Sequence, residues 1–109
     1  MSERIQKINK LIKKHLGEIL PKELSLKLGV FVTVSKVDTS PDLRYTQVSV
    51  SVFPFKETDY AIKTIAKELY SIQGALNKKL HMRPLPRLKF VADATEEYAD
   101  EIEKILMEL

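Results

Sequence analysis

Two runs of β-branched and aromatic residues, separated by one short turn, constrain this chain more than any other feature. Residues 30–37 read Val-Phe-Val-Thr-Val-Ser-Lys-Val. Residues 44–53 repeat that character, with Val48, Val50 and Val52 at the alternate positions that share one face of a strand. Between them, Asp38-Thr39-Ser40-Pro41-Asp42 has the composition of a turn. A link that short predicts an antiparallel pair. Pro54 has no N–H to give to a ladder and ends the second strand.

Helical patterns flank the hairpin. Ile5, Ile8, Leu11, Ile12, Leu16 and Ile19 recur at spacings of three and four, which predicts a helix over residues 3–20 stopped by Pro21. Burying that stripe would push Lys7, Lys10, Lys13 and Lys14 together into solvent. Residues 24–29 alternate too briefly to decide between a loop and a lead-in to the first strand.

After the hairpin, Thr58 is the expected N-cap of a second helix, whose stripe runs through Ile62, Ile65, Ala66, Leu69, Ile72, Leu76 and Leu80. Gly74 lies inside it. A mid-helix glycine costs about 1 kcal/mol relative to alanine, so it is read as a kink between two helical pieces. Pro84 and Pro86 end that helix, and residues 87–91 make a short strand with Leu88 and Phe90 or its neighbours inward. Asp93 and Glu96 suit the first turn of a last helix, whose stripe is Tyr98, Ile102, Ile105, Leu106 and Leu109. The order is helix, strand, strand, broken helix, strand, helix, with no linker and no repeat. For 109 residues that are 44% hydrophobic, one domain over residues 1–109 is expected, an α+β sandwich with helices covering a three-stranded sheet.

Little in the chain suggests catalysis. With no cysteine, disulfides, thiolate zinc sites and cysteine nucleophiles are excluded, which fits a reducing compartment. His15 and His81 lack the partner spacing of a metal site, and no phosphate loop, dinucleotide fingerprint or nucleophile elbow occurs. The carboxylates gather on the last segment, as on a solvated helix face. No enzymatic activity, cofactor, metal or small-molecule substrate is expected. Nor is a membrane partner, since the N-terminus mixes charges from the start and no apolar run approaches the roughly 20 residues of a span.

Charge is more telling by position than in sum. Residues 1–92 hold 17 Lys and Arg against 8 Asp and Glu, whereas residues 93–109 hold one Lys against seven acids. A basic body with an acidic end suggests a polyanion partner, although such lysines can also simply solvate helices. Lys78, Lys79, Arg83, Arg87 and Lys89 form a second basic cluster besides that of the first helix. If the two share a face, they make a phosphate-binding surface. Phe53 and Phe55 around Pro54 could stack on bases or pack at the rim of the core.

Two stretches carry a family resemblance. The hairpin from Val37 to Ser51 is similar to the Val, Ser-x-Asp-Leu and Val-x-Val-Ser framework of the ribosome-binding factor A proteins, and residues 82–93 resemble their Leu-Arg-x-x-Pro-x-Leu-x-Phe-x-x-Asp signature. The resemblance implies a KH-like fold of type II, in which a helix–kink–helix bearing Ala-x-Gly replaces the usual Gly-x-x-Gly loop. Ile72-Gln73-Gly74 stands at that place, with isoleucine for the alanine, and Thr46 stands where the family has alanine. It further implies a cytoplasmic, monomeric assembly factor that binds the free small (30S) ribosomal subunit, assists late processing of its 16S rRNA, and matters most in the cold. Lys7, Lys10, Lys13, Lys14, Lys78, Lys79, Arg83, Arg87 and Lys89 are the candidate RNA contacts on charge and placement, with Gly74 as the backbone hinge. Two alternatives remain open: an adaptor working through the acidic last helix, and a general KH-type binder of single-stranded RNA.

Overall fold

Ser2 opens the first helix by accepting a hydrogen bond from the Ile5 amide at 3.2 Å, so one of the four unpaired amides of a helix start is satisfied. The computed structural model describes residues 2–82 and 85–93. Arg83, Pro84 and the helix expected after Asp93 lie outside them. Helix α1 spans Glu3–Glu23 and buries Ile5, Ile12, Leu16, Ile19 and Leu20. Pro21 does not stop it, contrary to expectation. In the last turn proline forfeits only its own bond, and the Leu24 amide still closes on the Leu20 carbonyl at 2.9 Å. Residues 24–30 are a loop, with a turn at Gly29, whose φ of +88° is one that glycine adopts at no steric cost.

The hairpin forms, but Asp38 and Thr39, expected in the turn, extend the first strand by pairing with Gln47 and Thr46. Strand β1 (Phe31–Thr39) pairs antiparallel with β2 (Tyr45–Phe53) in a register that places Phe31 opposite Phe53 and Thr39 opposite Thr46, with a bulge at Ser35 between Val34 and Lys36. In the turn, Leu43 adopts φ +61°. The Asp42 carboxylate accepts from the Ser40 hydroxyl and the Arg44 amide, and these bonds, Ser40 first, hold its pKa below the usual carboxylate value. The charged form is thus favoured by folding, and the help it gives the turn fades as pH falls through the folded value. Strand β3 (Arg87–Ala92) joins β2 in parallel, which gives a mixed sheet of order β1-β2-β3.

Val48, Val50 and Val52 are buried on one face together with Thr46, Val37 and Leu88. Thr46 tolerates full burial because its hydroxyl bonds that of Thr39 at 2.9 Å. Phe90 is half-buried beside them.

Two expectations for the central helix need correcting. Thr58 is its first residue, not its cap, and the Thr58 hydroxyl donates to the Phe55 carbonyl. The break falls at Glu68, not at Gly74, dividing the segment into α2 (Thr58–Lys67) and α3 (Leu69–Lys79). At Glu68 the amide is shared between the Thr64 and Ile65 carbonyls at 3.1 Å each, a local tightening that redirects the chain. The change of direction has a packing cause: α2 lies against β2 and β3, whereas α3 lies beside α1. Between helices and sheet, Ile12, Leu16, Ile65, Ile72, Leu76, Val48 and Val50 form the sealed centre of the core. The arrangement is α+β, KH-like of type II through its third strand.

Candidate nucleic-acid interface

The helix layer presents most of the expected cations on one side. With Ile12 and Leu16 buried, the wheel of α1 turns Lys7, Lys10 and Lys14 outward, and all three are exposed. In α3, where Ile72 and Leu76 point inward, Gly74 and Lys78 take the outward positions and Lys79 leans toward α1. The two helices run antiparallel: the first half of α1 lies beside Lys79 and Leu80, and Glu23 at its end lies beside Tyr70 and Ser71. Their seam opens into a groove of about 690 Å³, lined by the apolar Leu11, Leu80 and Met82 and by Arg4, Lys7 and Lys79, with Glu3 beside Lys7. A lining of three cations to one carboxylate beside apolar side chains suits a polyanion that brings sugar and base surface with its phosphates.

Not every candidate joins this face. Lys13 sits on the flank of α1, where its ammonium donates to the Ser35 carbonyl at the β1 bulge, 3.5 Å away. Arg87 and Lys89 flank the buried Leu88 in β3, so strand alternation turns both to the opposite side of the sheet from the helices. Of the expected cluster of Lys78, Lys79, Arg83, Arg87 and Lys89, Arg83 lies outside the described residues, and the other four are split between the two sides of the sheet. Gly74 is outward and helical, with nothing among the described residues within 4 Å of an added Cβ.

Sequence reasoning missed Tyr70. It is 92% exposed on the outer side of α3, and with Ser71, Gly74 and Lys78 it lines a second groove. Its signal was available: Tyr70 falls two positions before the inward Ile72, on the outward arc of the same wheel. An exposed aromatic among lysines can stack on a base or pair with a sugar edge.

His15 and His81 both line the seam groove, and the buried His15 Nδ1 has no hydrogen-bond partner among the described residues. Among the described residues, no three of His, Cys, Asp or Glu gather closely enough to hold a metal ion, and no helix is long and apolar enough to cross a membrane.

Because Gly74 fills an ordinary helical position with open space around it, Gly74→Ala is expected to stabilise the chain by about 1 kcal/mol. A urea titration checks this: the midpoint should rise with an unchanged slope. A loss of stability would place the hinge at Gly74 after all.

The likeness to known proteins is extensive. The family model described as ribosome-binding factor A matches residues 4–106. The ribosome-binding factor A of Chlorobium phaeobacteroides is 37% identical over 112 aligned positions, which cover 100% of this chain and 96% of that protein. Among solved structures, the crystal structure of ribosome-binding factor A from Thermus thermophilus is 26% identical with a TM-score of 0.72, covering 81% of this chain and 94% of that one. A homology model of the Thermus thermophilus factor, fitted into a cryo-EM map of a complex of the 30S subunit with ribosome-binding factor A, is 28% identical. Its TM-score is 0.62, over 76% of this chain and 88% of that one.

Proposed function

Because this chain belongs to the ribosome-binding factor A family, we propose that it binds the free small ribosomal subunit and assists the late maturation and processing of 16S rRNA. One observation carries the reading: Lys7, Lys10, Lys14, Lys78 and Lys79 are all exposed on the helix layer, on two helices packed side by side. Phosphate contacts of that kind supply affinity without sequence choice, while the fixed spacing of the helices selects the RNA shapes that can meet them all at once. The factor then works by differential binding. It favours one rRNA conformation over its competitors by no more than its difference in affinity for them.

In this role the chain is a cytoplasmic monomer without cofactor, membrane partner or small-molecule substrate, and it catalyses no reaction itself. Its need is greatest in the cold, where misfolded RNA pairings persist longest. Lys13, Arg87 and Lys89 remain candidate contacts outside the five-lysine face, and Arg83 remains one on its charge alone.

Sucrose-gradient sedimentation of cell extract tests the proposal. The protein should travel with free small subunits and be absent from assembled ribosomes. Its binding to purified subunits should weaken by about 0.7 to 0.9 log units per log unit of salt for each phosphate neutralised. Migration with assembled ribosomes, or binding indifferent to salt, would overturn it.

A further inference from the structure

The side of the sheet turned away from the helices has a composition that core packing does not require. Strand alternation places Tyr45, Gln47, Ser49, Ser51 and Phe53 of β2 on it, opposite in sense to the buried Thr46, Val48, Val50 and Val52. Tyr45 is 57% exposed, Phe53 68% and its cross-strand neighbour Phe31 63%. Water-facing strand positions are ordinarily polar, so three open rings on one sheet face indicate a surface that is covered in use.

The register supplies the rest. Arg87 is paired with Tyr45, and Lys89 with Gln47. Both cations are exposed and lie two residues apart, about 6.6 Å along the strand. That separation is close to the step between successive phosphates of an extended nucleic-acid strand. Lys36 and Arg44, by contrast, are engaged by Asp38 and Asp42 at 3.3 and 3.9 Å. The floor between the two aromatic ends, Gln47, Ser49 and Ser51, offers amide and hydroxyl groups to base edges. From Tyr45 to Phe53 the track runs for eight residues, about 26 Å, long enough for several nucleotides.

We propose that this open sheet face is a second RNA-binding surface, which takes a single-stranded segment by stacking bases on Tyr45 and on Phe31 and Phe53 while Arg87 and Lys89 hold its phosphates. Stacking platforms lined by cations bind single strands in this manner, with little sequence preference. An apolar protein partner would not use the cations along the β3 side, and a duplex could not reach the rings. The assignment deepens the RNA-binding reading above: with lysines on the helix side and aromatics on the sheet side, one molecule can hold two rRNA segments at once.

The experiment uses the full chain and a fluorescently labelled single-stranded RNA ten-mer of mixed sequence, read by anisotropy. Tyr45→Ala combined with Phe53→Ala should weaken oligomer binding about tenfold or more, and Arg87→Glu with Lys89→Glu should do the same. Lys10→Glu with Lys14→Glu should leave it within about twofold. All these side chains are exposed, and unchanged thermal melts confirm folding of each variant. Oligomer binding that survives both sheet-face pairs, or that falls equally with the helix-side pair, overturns the proposal. Subunit co-sedimentation of the helix-side pair is measured in parallel. Loss there together with unaltered oligomer binding by the sheet-face variants would defeat the second surface alone, whereas retained co-sedimentation would count against the helix-layer reading itself.

Discussion

Reversing Lys7, Lys10, Lys14, Lys78 and Lys79 together to glutamate is expected to weaken binding to free small subunits on the order of a thousandfold or more, with the protein left at the top of a sedimentation gradient. Each lysine is exposed, so none of the five substitutions opens the core. Among the described residues the one ion pair lost, Lys7 to Glu3 at 3.7 Å, joins two side chains that are 76% and 84% exposed and contributes a few tenths of a kcal/mol at most. Fold and binding should therefore separate cleanly. Neutral variants supply a finer reading: five Lys→Gln changes should flatten the salt dependence by about 0.7 to 0.9 log units for each lysine that meets a phosphate. A lysine whose replacement leaves the slope unchanged faces solvent in the complex. Arg87 and Lys89, on the far side, should alter this slope only if the rRNA reaches around the sheet. Full retention of binding by the five-fold reversal would remove the helix layer from the contact surface.

What the sequence made legible, and what it hid, follows from the physics of each signal. The hairpin could be read because Val48, Val50 and Val52 alternate with polar residues, a period of two that only a half-buried strand explains. The break at Glu68 could not. Ala61, Ile65, Ile72 and Leu76 keep their helical spacing straight across it, so periodicity passes through without a mark, while the propensity penalty of Gly74 drew attention to the wrong residue. Pro21 misled for a related reason: proline is costly in a helix interior, but in a last turn it forfeits little. The site was legible helix by helix, because a wheel places Lys7, Lys10 and Lys14 relative to Ile12 without knowledge of the fold. Its assembly across elements was not legible. Lys79 and Arg87 are close in sequence, yet the chain passes from the helix layer into the sheet between them, and strand alternation then decides which side Arg87 faces. Lys13 shows the same limit on a smaller scale. One step of about 100° around α1 takes it from the open face to the edge of β1.

The residue at the centre of the helical signature, Gln73, has a consequence for stability that charge and periodicity do not suggest. Its Oε1 accepts from the Leu88 amide at 2.9 Å, and its Nε2 donates to the Pro86 carbonyl at 3.0 Å and to Asn77 Oδ1 at 2.9 Å. One side-chain amide thus imitates a neighbouring strand and satisfies β3 along the edge that β2 does not cover. Pro86 and Leu88 are buried, so water is poorly placed to substitute. Gln73→Leu keeps the volume and removes all three bonds, leaving the Leu88 amide and the Pro86 carbonyl unpaired, and is expected to destabilise the chain by about 2 to 3 kcal/mol. Hydrogen exchange should show the Leu88 amide losing protection first, ahead of Val48 and Val50 in the central strand. Gln73→Glu makes a sharper test. A carboxylate can still accept from Leu88, but it faces the Pro86 carbonyl and Asn77 Oδ1 with no proton to give, so folding favours its protonated form and raises its pKa. Stability of that variant should be near that of the parent chain below the ordinary carboxylate range and fall as pH rises through the raised value. A flat pH profile, or a Gln73→Leu protein as stable as the parent, would mean that β3 is held by its pairing with β2 alone.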